Sequence, residues 1–347
     1  SMIECQRATP SVSIAMKIAS ELDVSTDKIF LDLSTENPTS FPKVIRYIDL
    51  FCGIGGFRYA SQYAFDKLEL NGKCVFSCDI DKYAQESYAA NFGEKPAGDI
   101  MKIKASDIPD FDVLFAGFPC QAFSICGLQK GFSDDTKGTL FFDIARIIKE
   151  KQPQAFVLEN VKNLASHDHG KTLKTILDVL RDELGYHVDF KLLNALDFGL
   201  PQKRERIIII GSKKPFLMDW VFTVDYMKTL DVILEKKVDK KHFASPEIIE
   251  KRKSMHSASV YPSIWHENKS GNISSYPYSC ALRAGASYNY LLVNGRRLTP
   301  REMLRLQGFP DTFKIVVSDT QTRKQAGNAI PVDMVAKVIE KFLPLAF

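Results

Sequence analysis

The chain has 347 residues, of which 45% are hydrophobic, and a formal net charge of +4, which is sufficient for one large core and a smaller domain. Its apolar runs are too short to cross a bilayer and no secretory leader opens it, so we expect a cytoplasmic protein without membrane attachment. The seven cysteines are scattered and form no C-x-x-C pair, which argues against a disulfide framework or a zinc site and predicts reduced thiols.

The first predicted elements are two short helices between residues 10 and 33, where Ile14, Ile18 and Leu22 recur at helical spacing. This stretch resembles the last part of a phage-repressor-type helix-turn-helix domain. Residues 1–43 are therefore predicted to be a helical extension and linker, either a remnant of such a domain or an amphipathic element packed on the main body. A complete DNA-reading domain is not expected here.

A strand over residues 44–51 runs into a glycine turn and a helix, as in the first βα unit of a Rossmann-like sheet. The turn reads Gly53-x-Gly55-Gly56 and differs from the G-x-G-x-x-G of dinucleotide sites. A dinucleotide needs a turn that cradles pyrophosphate. With Asp49 and Phe51 before it, this turn instead suits a ligand with an amino acid end and an adenine ring.

Two carboxylates follow the turn at positions that suit a nucleoside. A strand over residues 74–78 ends at Asp79, where Rossmann-like folds place the acid that accepts ribose hydroxyl groups. Asp99, after what should be the third strand, is predicted to bind an adenine amino group. Either acid could simply cap a helix. Two acids in register with a glycine turn nevertheless favour a nucleoside pocket.

The next apolar strand, residues 112–117, ends in Phe118-Pro119-Cys120-Gln121. Cys120 is thereby placed at the carboxyl edge of the sheet, where open α/β folds carry their chemistry, on a backbone that Pro119 stiffens. The polar, glycine-containing residues 121–138 are long enough to act as a lid. A nucleophilic thiol under a lid is one interpretation, and an inert buried cysteine is the other.

Charged side chains are predicted beside this thiol. A buried strand delivers Glu159 to the same edge, and a buried carboxylate is costly unless it is functional or paired. Arg204 and Arg206 enter an apolar strand, and strand periodicity directs both to one face, towards a fixed polar target. The elements predicted in this part are helices at 139–151 and 171–184 and strands at 155–158, 188–194 and 207–211.

Positive charge is concentrated in residues 212–297, which hold 14 Lys and Arg against 8 Asp and Glu. Such a surplus is typical of a solvated surface or of a segment that lies on a polyanion. Beyond it the sequence predicts helices at residues 300–307 and 332–343.

Six ordered motifs together resemble those of the cytosine-C5 DNA methyltransferases, close to the compact bacterial HhaI-type enzymes. They are Asp49-Leu50-Phe51-x-Gly53-x-Gly55-Gly56, Gly117-Phe118-Pro119-Cys120-Gln121, Glu159-Asn160-Val161, Gln202-x-Arg204-x-Arg206, Arg301-Glu302 with Leu306-Gln307-Gly308-Phe309-Pro310, and Gly327-Asn328-Ala329-Ile330-Pro331.

The resemblance implies an α/β fold with a Rossmann-like methyltransferase sheet and a smaller, mostly irregular or β target-recognition domain. The catalytic domain would comprise residues 44–211 and 319–347, the recognition domain residues 212–297, and a connection residues 298–318. It also implies transfer of a methyl group from S-adenosyl-L-methionine to carbon 5 of a cytosine rotated out of duplex DNA, leaving S-adenosyl-L-homocysteine.

The implied roles follow from the poor nucleophilicity of carbon 5. Cys120 would first add to carbon 6 of the ring, and Glu159 would hold ring nitrogen 3. Arg206 would hold the cytosine carbonyl, with Arg204 in support. Gln121 is a further catalytic candidate and Ser124 a DNA contact, both from the lid.

The implied cofactor site adds Ile80, Ile100, Pro119, Leu140, Asn328 and Ala329 to the glycine turn and the two acids. Arg283, Asn272 and Asn289 are candidates for reading bases, although Ala281-Leu282 stands where the family often has Thr-Leu. No metal is expected, because His167-Asp168-His169 lacks further ligands. We expect a monomer that acts on duplex DNA, with a cognate restriction endonuclease as a candidate partner.

Two alternatives stay open from the sequence. One branch of the family acts on tRNA, although the long basic segment and the Pro119-Cys120-Gln121 motif favour duplex DNA. The N-terminal remnant suggests a non-catalytic DNA-binding regulator, but Cys120 and Glu159 are both intact, which favours an enzyme.

Overall fold

A computed structural model describes residues 42–119, 140–223, 226–268, 270–285, 290–291 and 295–347. The predicted N-terminal helices lie outside these residues. So do the predicted lid, Cys120, Gln121 and Ser124, and the candidate base reader Asn289.

The core of the protein is a sheet whose strands are short apolar runs buried on both faces. The first seven strands are β1 (Ile45–Leu50), β2 (Gly72–Cys78), β3 (Val113–Gly117), β4 (Ala155–Val161), β5 (His187–Asn194), β6 (Gln202–Lys203) and β7 (Glu205–Ser212). All except β6 form one six-stranded sheet in the order β2-β1-β3-β4-β7-β5. The predicted α/β fold is confirmed, and the predicted strands, except the one expected before Asp99, lie within a few residues of the observed ones.

One strand of this sheet runs against its neighbours. β1 to β4 are parallel, whereas β7 is antiparallel to both β4 and β5. The edge at which β1 to β4 end is therefore the edge at which β7 begins, and Arg206 pairs with Val161 there. This reversal brings arginines from the start of one strand to carboxylates from the end of another.

Helices cover both faces of the sheet. The helices of the described residues, not all of which contact this sheet, are α1 (Gly56–Lys67), α2 (Lys82–Phe92), α3 (Leu140–Lys151), α4 (Lys171–Asp178), α5 (Leu230–Ile233), α6 (Pro246–Met255), α7 (Pro300–Leu306), α8 (Asp319–Asn328) and α9 (Val332–Ala346). Ile144 of α3 and Ile176 of α4 share a core cluster with Ile48 of β1. On the other face Phe57 of α1 stacks on Phe115 of β3, with ring centroids 5.5 Å apart. None of the helices in the described part of the chain has the length and hydropathy that a membrane span requires.

The last helix returns to the beginning of the sheet. α9 packs against α1, and its end is tied to the edge at which the parallel strands start. There Gln154, just before β4, donates from Nε2 to the Ala346 carbonyl at 2.6 Å. The C-terminal residues thus complete the same layered unit as β1.

Two predicted elements differ from the structure. In the described residues, the predicted strand directly before Asp99 does not form. Ala97 makes one bridge to Cys78, and residues 100–102 form a 3-10 turn. Pro96, which has no N–H to donate, leaves this segment a poor strand. The predicted helix at 171–184 is α-helical only to Asp178 and then becomes a π-helical turn, Val179–Glu183, in which the Leu184 N–H donates to the Val179 carbonyl.

Short strands dominate the described part of residues 212–297. They are β8 (Ile264–Glu267), β9 (Ile273–Tyr276), β10 (Ser279–Cys280), β11 (Tyr290–Leu291) and β12 (Arg296–Arg297). Four of them form a sheet in the order β12-β11-β8-β9, and β10 pairs with β6. Trp265 is buried in this region. The assignment of these residues to a recognition domain stays a prediction.

Candidate active site

A cavity of about 1170 Å³ opens where β1 to β4 end and β7 begins. Pockets for one small ligand typically measure about 300–1,000 Å³, so this cavity is slightly larger than a typical pocket for one ligand. Its wall contains every described residue that the sequence predicted for catalysis or cofactor binding, apart from Asp49 and Gly55. These wall residues are Phe51, Gly53, Gly56, Asp79, Ile80, Asp99, Ile100, Pro119, Leu140, Glu159, Arg204, Arg206, Asn328 and Ala329.

The glycine turn forms one end of the wall. Gly53 has φ +55°, and a Cβ added there would meet nothing within 4 Å, so the backbone faces open space. Phe51, just before it, also has a positive φ of 56°. The turn leads into α1, whose N-cap residue Gly55 provides no side-chain cap. Its first N–H groups are therefore suited to an anionic group of a ligand.

Asp79 links the glycine turn to β2. Its Oδ2 accepts a hydrogen bond from the Gly53 N–H at 2.8 Å, and its Oδ1 accepts one from the Asp81 N–H at 2.8 Å. Burial raises the pKa of this carboxyl group above its ordinary value. An ionised carboxylate can accept about four hydrogen bonds, so Asp79 has acceptor capacity left for ligand hydroxyl groups.

Asp99 both caps a turn and lines the cavity. Its Oδ1 accepts a hydrogen bond from the Met101 N–H at 3.1 Å, which is the cap interpretation that the sequence left open. Ile80 is 71% exposed and Met101 is 62% exposed on the same wall. Apolar side chains left this open beside two acids provide a surface on which a heteroaromatic ring can rest.

Asp49 and Gly55, the two exceptions, lie behind the cavity wall. Asp49 is fully buried, and neither of its carboxylate oxygens has a hydrogen-bond partner among the described residues. Burial raises its pKa well above the usual range, an effect that Arg58 opposes and Asp79 reinforces. Asp49 is absent from the cavity wall, and its contact with a cofactor stays a prediction.

A buried ion pair forms the other end of the wall. Arg206 Nε lies 2.7 Å from Glu159 Oε1. Burial raises the pKa of Glu159, and Arg206 and then Arg204 partly offset that increase. A carboxyl group with a raised pKa beside a fixed guanidinium group can hold a proton while the arginine binds an oxygen of the same ligand.

Asn160, the next residue of β4, is a positioning residue. It belongs to the Glu159-Asn160-Val161 motif, but the sequence predicted no role for it. It is buried, and its Nδ2 donates to the Phe118 carbonyl at 2.9 Å. Its Oδ1 accepts from the Val161 N–H at 2.8 Å. Asn160 thus fixes the backbone that leads into Pro119 and Cys120. A buried amide inside an apolar strand was the available signal, because such a group must find partners.

Arg204 is buried and grips backbone rather than a carboxylate. It donates to the carbonyls of Leu282 at 2.9 Å, Gly327 at 3.0 Å and Ala329 at 2.6 Å. Burial and the neighbouring Arg206 lower its pKa to about 9, against the opposing effect of Glu159. Both arginines line the cavity as strand periodicity predicted.

Part of the wall carried no distinctive sequence signal. Arg146 bridges Asp143, at 2.9 Å, and the Ile100 carbonyl, at 2.6 Å. Lys324 of α8 pairs with Asp81 at 2.6 Å. The Asp143–Arg146 pair is spaced i, i+3, and such an acid-base pair on a helix most often lies on a solvated face. The sequence therefore gave no reason to place these pairs at a site.

Arg283 and Asn272, the candidate DNA contacts among the described residues, lie outside the cavity wall. Arg283 is exposed. Within the basic segment, Lys241 pairs with Asp319 at 2.8 Å and Arg252 with Glu267 at 2.9 Å. No group of three or more His, Cys, Asp or Glu side chains that could hold a metal occurs in the described residues.

A family model of C-5 cytosine-specific DNA methylases matches residues 45–343. The chain belongs to this family. It is a DNA (cytosine-5-)-methyltransferase, and the predicted family and reaction are confirmed. The type II methyltransferase M.NgoBI of Neisseria gonorrhoeae is 54% identical over 292 residues, covering 83% of this chain and 90% of that protein. M.HaeII of Haemophilus aegyptius, also a type II methyltransferase, is 54% identical over 300 residues, covering 85% and 92%.

Solved structures support the fold of this methyltransferase. The Entamoeba histolytica methyltransferase EhMeth superposes with a TM-score of 0.66 at 18% identity, covering 87% of this chain and 98% of that one. Family membership implies dependence on S-adenosyl-L-methionine. The wall fits that molecule: open backbone at Gly53, the carboxylates of Asp79 and Asp99, and exposed apolar side chains between them.

Proposed function

We propose that this methyltransferase modifies carbon 5 of a cytosine within a specific sequence of duplex DNA, as the modification enzyme of a type II restriction-modification system. Its identity of 54% to two type II methyltransferases supports the proposal. The observation that carries the chemistry is one cavity in which a nucleoside-type wall continues into the Glu159–Arg206 pair beside Pro119.

At the cofactor end, S-adenosyl-L-methionine supplies an activated methyl group when it is bound. The N–H groups that open α1 would bind its carboxylate. Asp79 would accept the ribose hydroxyls, and Asp99 the adenine amino group. Ile80, Ile100 and Leu140 supply the apolar contacts of the ring, with Asn328 and Ala329 on the facing wall.

At the base end, the thiolate of Cys120 would add to carbon 6 of the flipped cytosine, so that the electron pair of the ring becomes available at carbon 5. Glu159 would share a proton with ring nitrogen 3 during this attack, as its raised pKa allows. Arg206 would hold the carbonyl and fix Glu159. Carbon 5 would then form its bond to the methyl group as the bond from that group to the donor sulfur breaks, which leaves S-adenosyl-L-homocysteine. Loss of the carbon 5 proton to a base would finally expel the thiolate and give 5-methylcytosine.

The experiment that tests this proposal is covalent trapping. Duplex DNA that carries 5-fluorocytosine at the target has no carbon 5 proton to lose, so the bond to Cys120 should survive denaturation. Adduct formation should need the methyl donor and should disappear in Cys120→Ser, while that variant still binds DNA. Methyl transfer by Cys120→Ser, or an adduct on another residue, would contradict the assignment.

The remaining expectations concern partners. We propose a monomer that acts on duplex DNA in the cytoplasm, where bacterial DNA lies, with Gln121 and Ser124 closing on the base. We also propose a nuclease partner that cuts the same sequence.

Methyl incorporation into duplex DNA and tRNA, measured side by side, distinguishes the two substrate classes. Preferential labelling of tRNA would contradict the DNA proposal.

A further inference from the structure

The chain that carries the candidate base reader Arg283 is docked directly on the Gln202-x-Arg204-x-Arg206 segment. β10 pairs in parallel with β6, Ser279 opposite Gln202 and Cys280 opposite Lys203. The Ser279 N–H also donates to the Pro201 carbonyl at 2.8 Å. Residues 279–282 therefore run alongside residues 201–204, immediately before Arg206 enters the base end of the cavity.

Two buried side chains then grip the backbone at Leu282. Gln202 Oε1 accepts from the Leu282 N–H at 3.0 Å, and Arg204 donates from Nη1 to the Leu282 carbonyl at 2.9 Å. Gln202 and Arg204 are at most 1% exposed. Both polar backbone groups of Leu282 are thus satisfied by side chains of one short segment.

The same two side chains reach the C-terminal part of the enzyme. Gln202 Nε2 donates to the Leu306 carbonyl at 2.9 Å, at the end of α7. Arg204 Nη2 donates to the carbonyls of Gly327 and Ala329. α8 packs so closely that a Cβ on Gly327 would clash with the backbone of Arg283 and Ala284. The backbone at 282–284 is therefore held between a buried guanidinium group and a glycine.

We infer that Gln202 and Arg204 are positioning residues that set the register of Leu282-Arg283 relative to the base pocket, so that sequence recognition depends on them. The inference rests on the proposed function. Arg283 follows the clamped residue directly, and Arg206, two residues beyond Arg204, contacts Glu159. The clamp thus links a side chain suited to base edges in the major groove with the pair that receives the flipped cytosine.

The purpose of such a clamp is accuracy. A reader carried on an unclamped strand could shift along the DNA and accept neighbouring base pairs, whereas hydrogen bonds to both polar groups of one residue define a single register. Each side-chain partner that is removed leaves a buried group of Leu282 unsatisfied, which favours displacement of the strand. Loss of the clamp should therefore reduce discrimination between sites more than it reduces cofactor binding.

The test uses the full chain and a duplex library of random sequence as the probe. Wild type, Gln202→Met and a control, Gln154→Met, methylate the library with S-adenosyl-L-methionine, and bisulfite sequencing gives the rate at each site. Methionine has a similar length but makes none of the three hydrogen bonds of the Gln202 side chain, to the Leu282 N–H, the Leu306 carbonyl and Gln307 Oε1. Gln154 holds the Ala346 carbonyl, away from the cavity. We expect Gln202→Met to lose at least tenfold of the rate ratio between the preferred site and its single-base variants, and Gln154→Met to keep it.

The outcomes separate the two proposals. If wild type methylates no cytosine, the proposed function fails. If wild type selects a site and Gln202→Met selects it equally well, even at a lower rate, the inference is overturned. If Gln202→Met does not fold, as absent cofactor binding would show, Arg283→Ala decides. That exposed substitution should remove discrimination at one position of the site at unchanged cofactor affinity, and an unaltered profile would refute the inference.

Discussion

At the scale of single residues, burial determines the chemistry at the base end of the cavity. The Glu159 carboxyl group is held beside Arg206, and its pKa is nevertheless raised because the cost of burying its charge exceeds the attraction. The sequence was sufficient to nominate Glu159, because a carboxylate after an apolar strand needs a reason. It could signal that Asn160 needs a partner but could not identify that partner, the Phe118 carbonyl 42 positions away.

Replacement of Glu159 should change the pH dependence of the reaction. A carboxyl group with a raised pKa keeps its proton below that pKa and loses it as the pH rises through it, so the falling limb of the wild-type profile should belong to Glu159. Glu159→Gln should lower the single-turnover rate about 10²- to 10⁴-fold and abolish that limb. Glu205→Gln, which affects only a pair with Lys162, is the control; an unchanged limb in Glu159→Gln would contradict the prediction.

Replacement of Asn160 tests its positioning role. Asn160→Asp keeps the size of the side chain but removes the donor to the Phe118 carbonyl, so the backbone before Cys120 should shift. Misplacement by about 1 Å can cost about 10²-fold in rate, and we expect a loss of that order in kcat with little change in the Kd for DNA. Asn163→Asp makes the same change at an exposed position and should be close to wild type. A matching loss in both variants would speak against the role.

Asp49 should make stability depend on pH. Its folded-state pKa is raised, so its contribution to stability is fully present below the unfolded value near 4 and is lost as the pH rises through the folded value. Asp49→Asn removes this loss. The gain in the free energy of unfolding relative to wild type should therefore be larger at pH 8 than at pH 5. Urea unfolding at both values checks this; an equal difference at both would contradict it.

At the scale of elements, apolar runs predicted the strands well, but not their directions. The reversed direction of β7 follows from its short connection to β5, because short connections favour antiparallel neighbours. Parallel neighbours need a crossover of about a dozen residues or more. The strand expected before Asp99 failed because its segment contains Pro96 and makes only one bridge. The sequence also did not show which residues of a motif line the cavity. Asp49 and Phe51 belong to one motif, yet only Phe51 reaches the cavity.

The glycine turn should bind the cofactor through the open backbone at Gly53. Gly53→Ala places a methyl group in that space and strains a backbone with positive φ by roughly 1–2 kcal/mol. We expect the Kd for S-adenosyl-L-methionine to rise at least tenfold, as measured by calorimetry. Gly93→Ala is a matched control: Gly93 has φ +75°, faces open space and ends α2 away from the cavity wall. Equal effects of the two variants would assign the loss to strain alone.

At the scale of the whole molecule, five of the six motifs contribute residues to one cavity although they are spread over most of the chain, and the motif at residues 301–310 lies outside its wall. Their order was readable from the sequence because each combines particular residue types at a fixed spacing. The charge distribution was readable as well, but the structure adds that Lys241 and Arg252 are already paired within the protein. Counting charges therefore overstates how many can meet phosphate.

Exposed lysines of α6 should contribute to the salt dependence of DNA binding. Each phosphate contact changes the slope of log K against log salt concentration by about 0.9. Lys251→Gln with Lys253→Gln should reduce the magnitude of the slope by up to about 1.8, as measured by fluorescence anisotropy between low and moderate salt. The control is Lys341→Gln on α9, which breaks a pair with Asp219 and should leave the slope unchanged. A slope that survives the double substitution would remove α6 from the interface.

The tie between Ala346 and the residue before β4 has a topological consequence. β1, β3 and β4 are adjacent parallel strands that all start at this edge, and strands are spaced about 4.8 Å apart, so the starts of β1 and β4 are roughly 10 Å apart. Phe347 and residue 44 could thus be joined by a short glycine-serine linker, and the chain reopened in a surface loop elsewhere. Such a circular permutant would keep the whole sheet, and a reporter fused at residue 347 would stand at the edge remote from the methyl-transfer cavity.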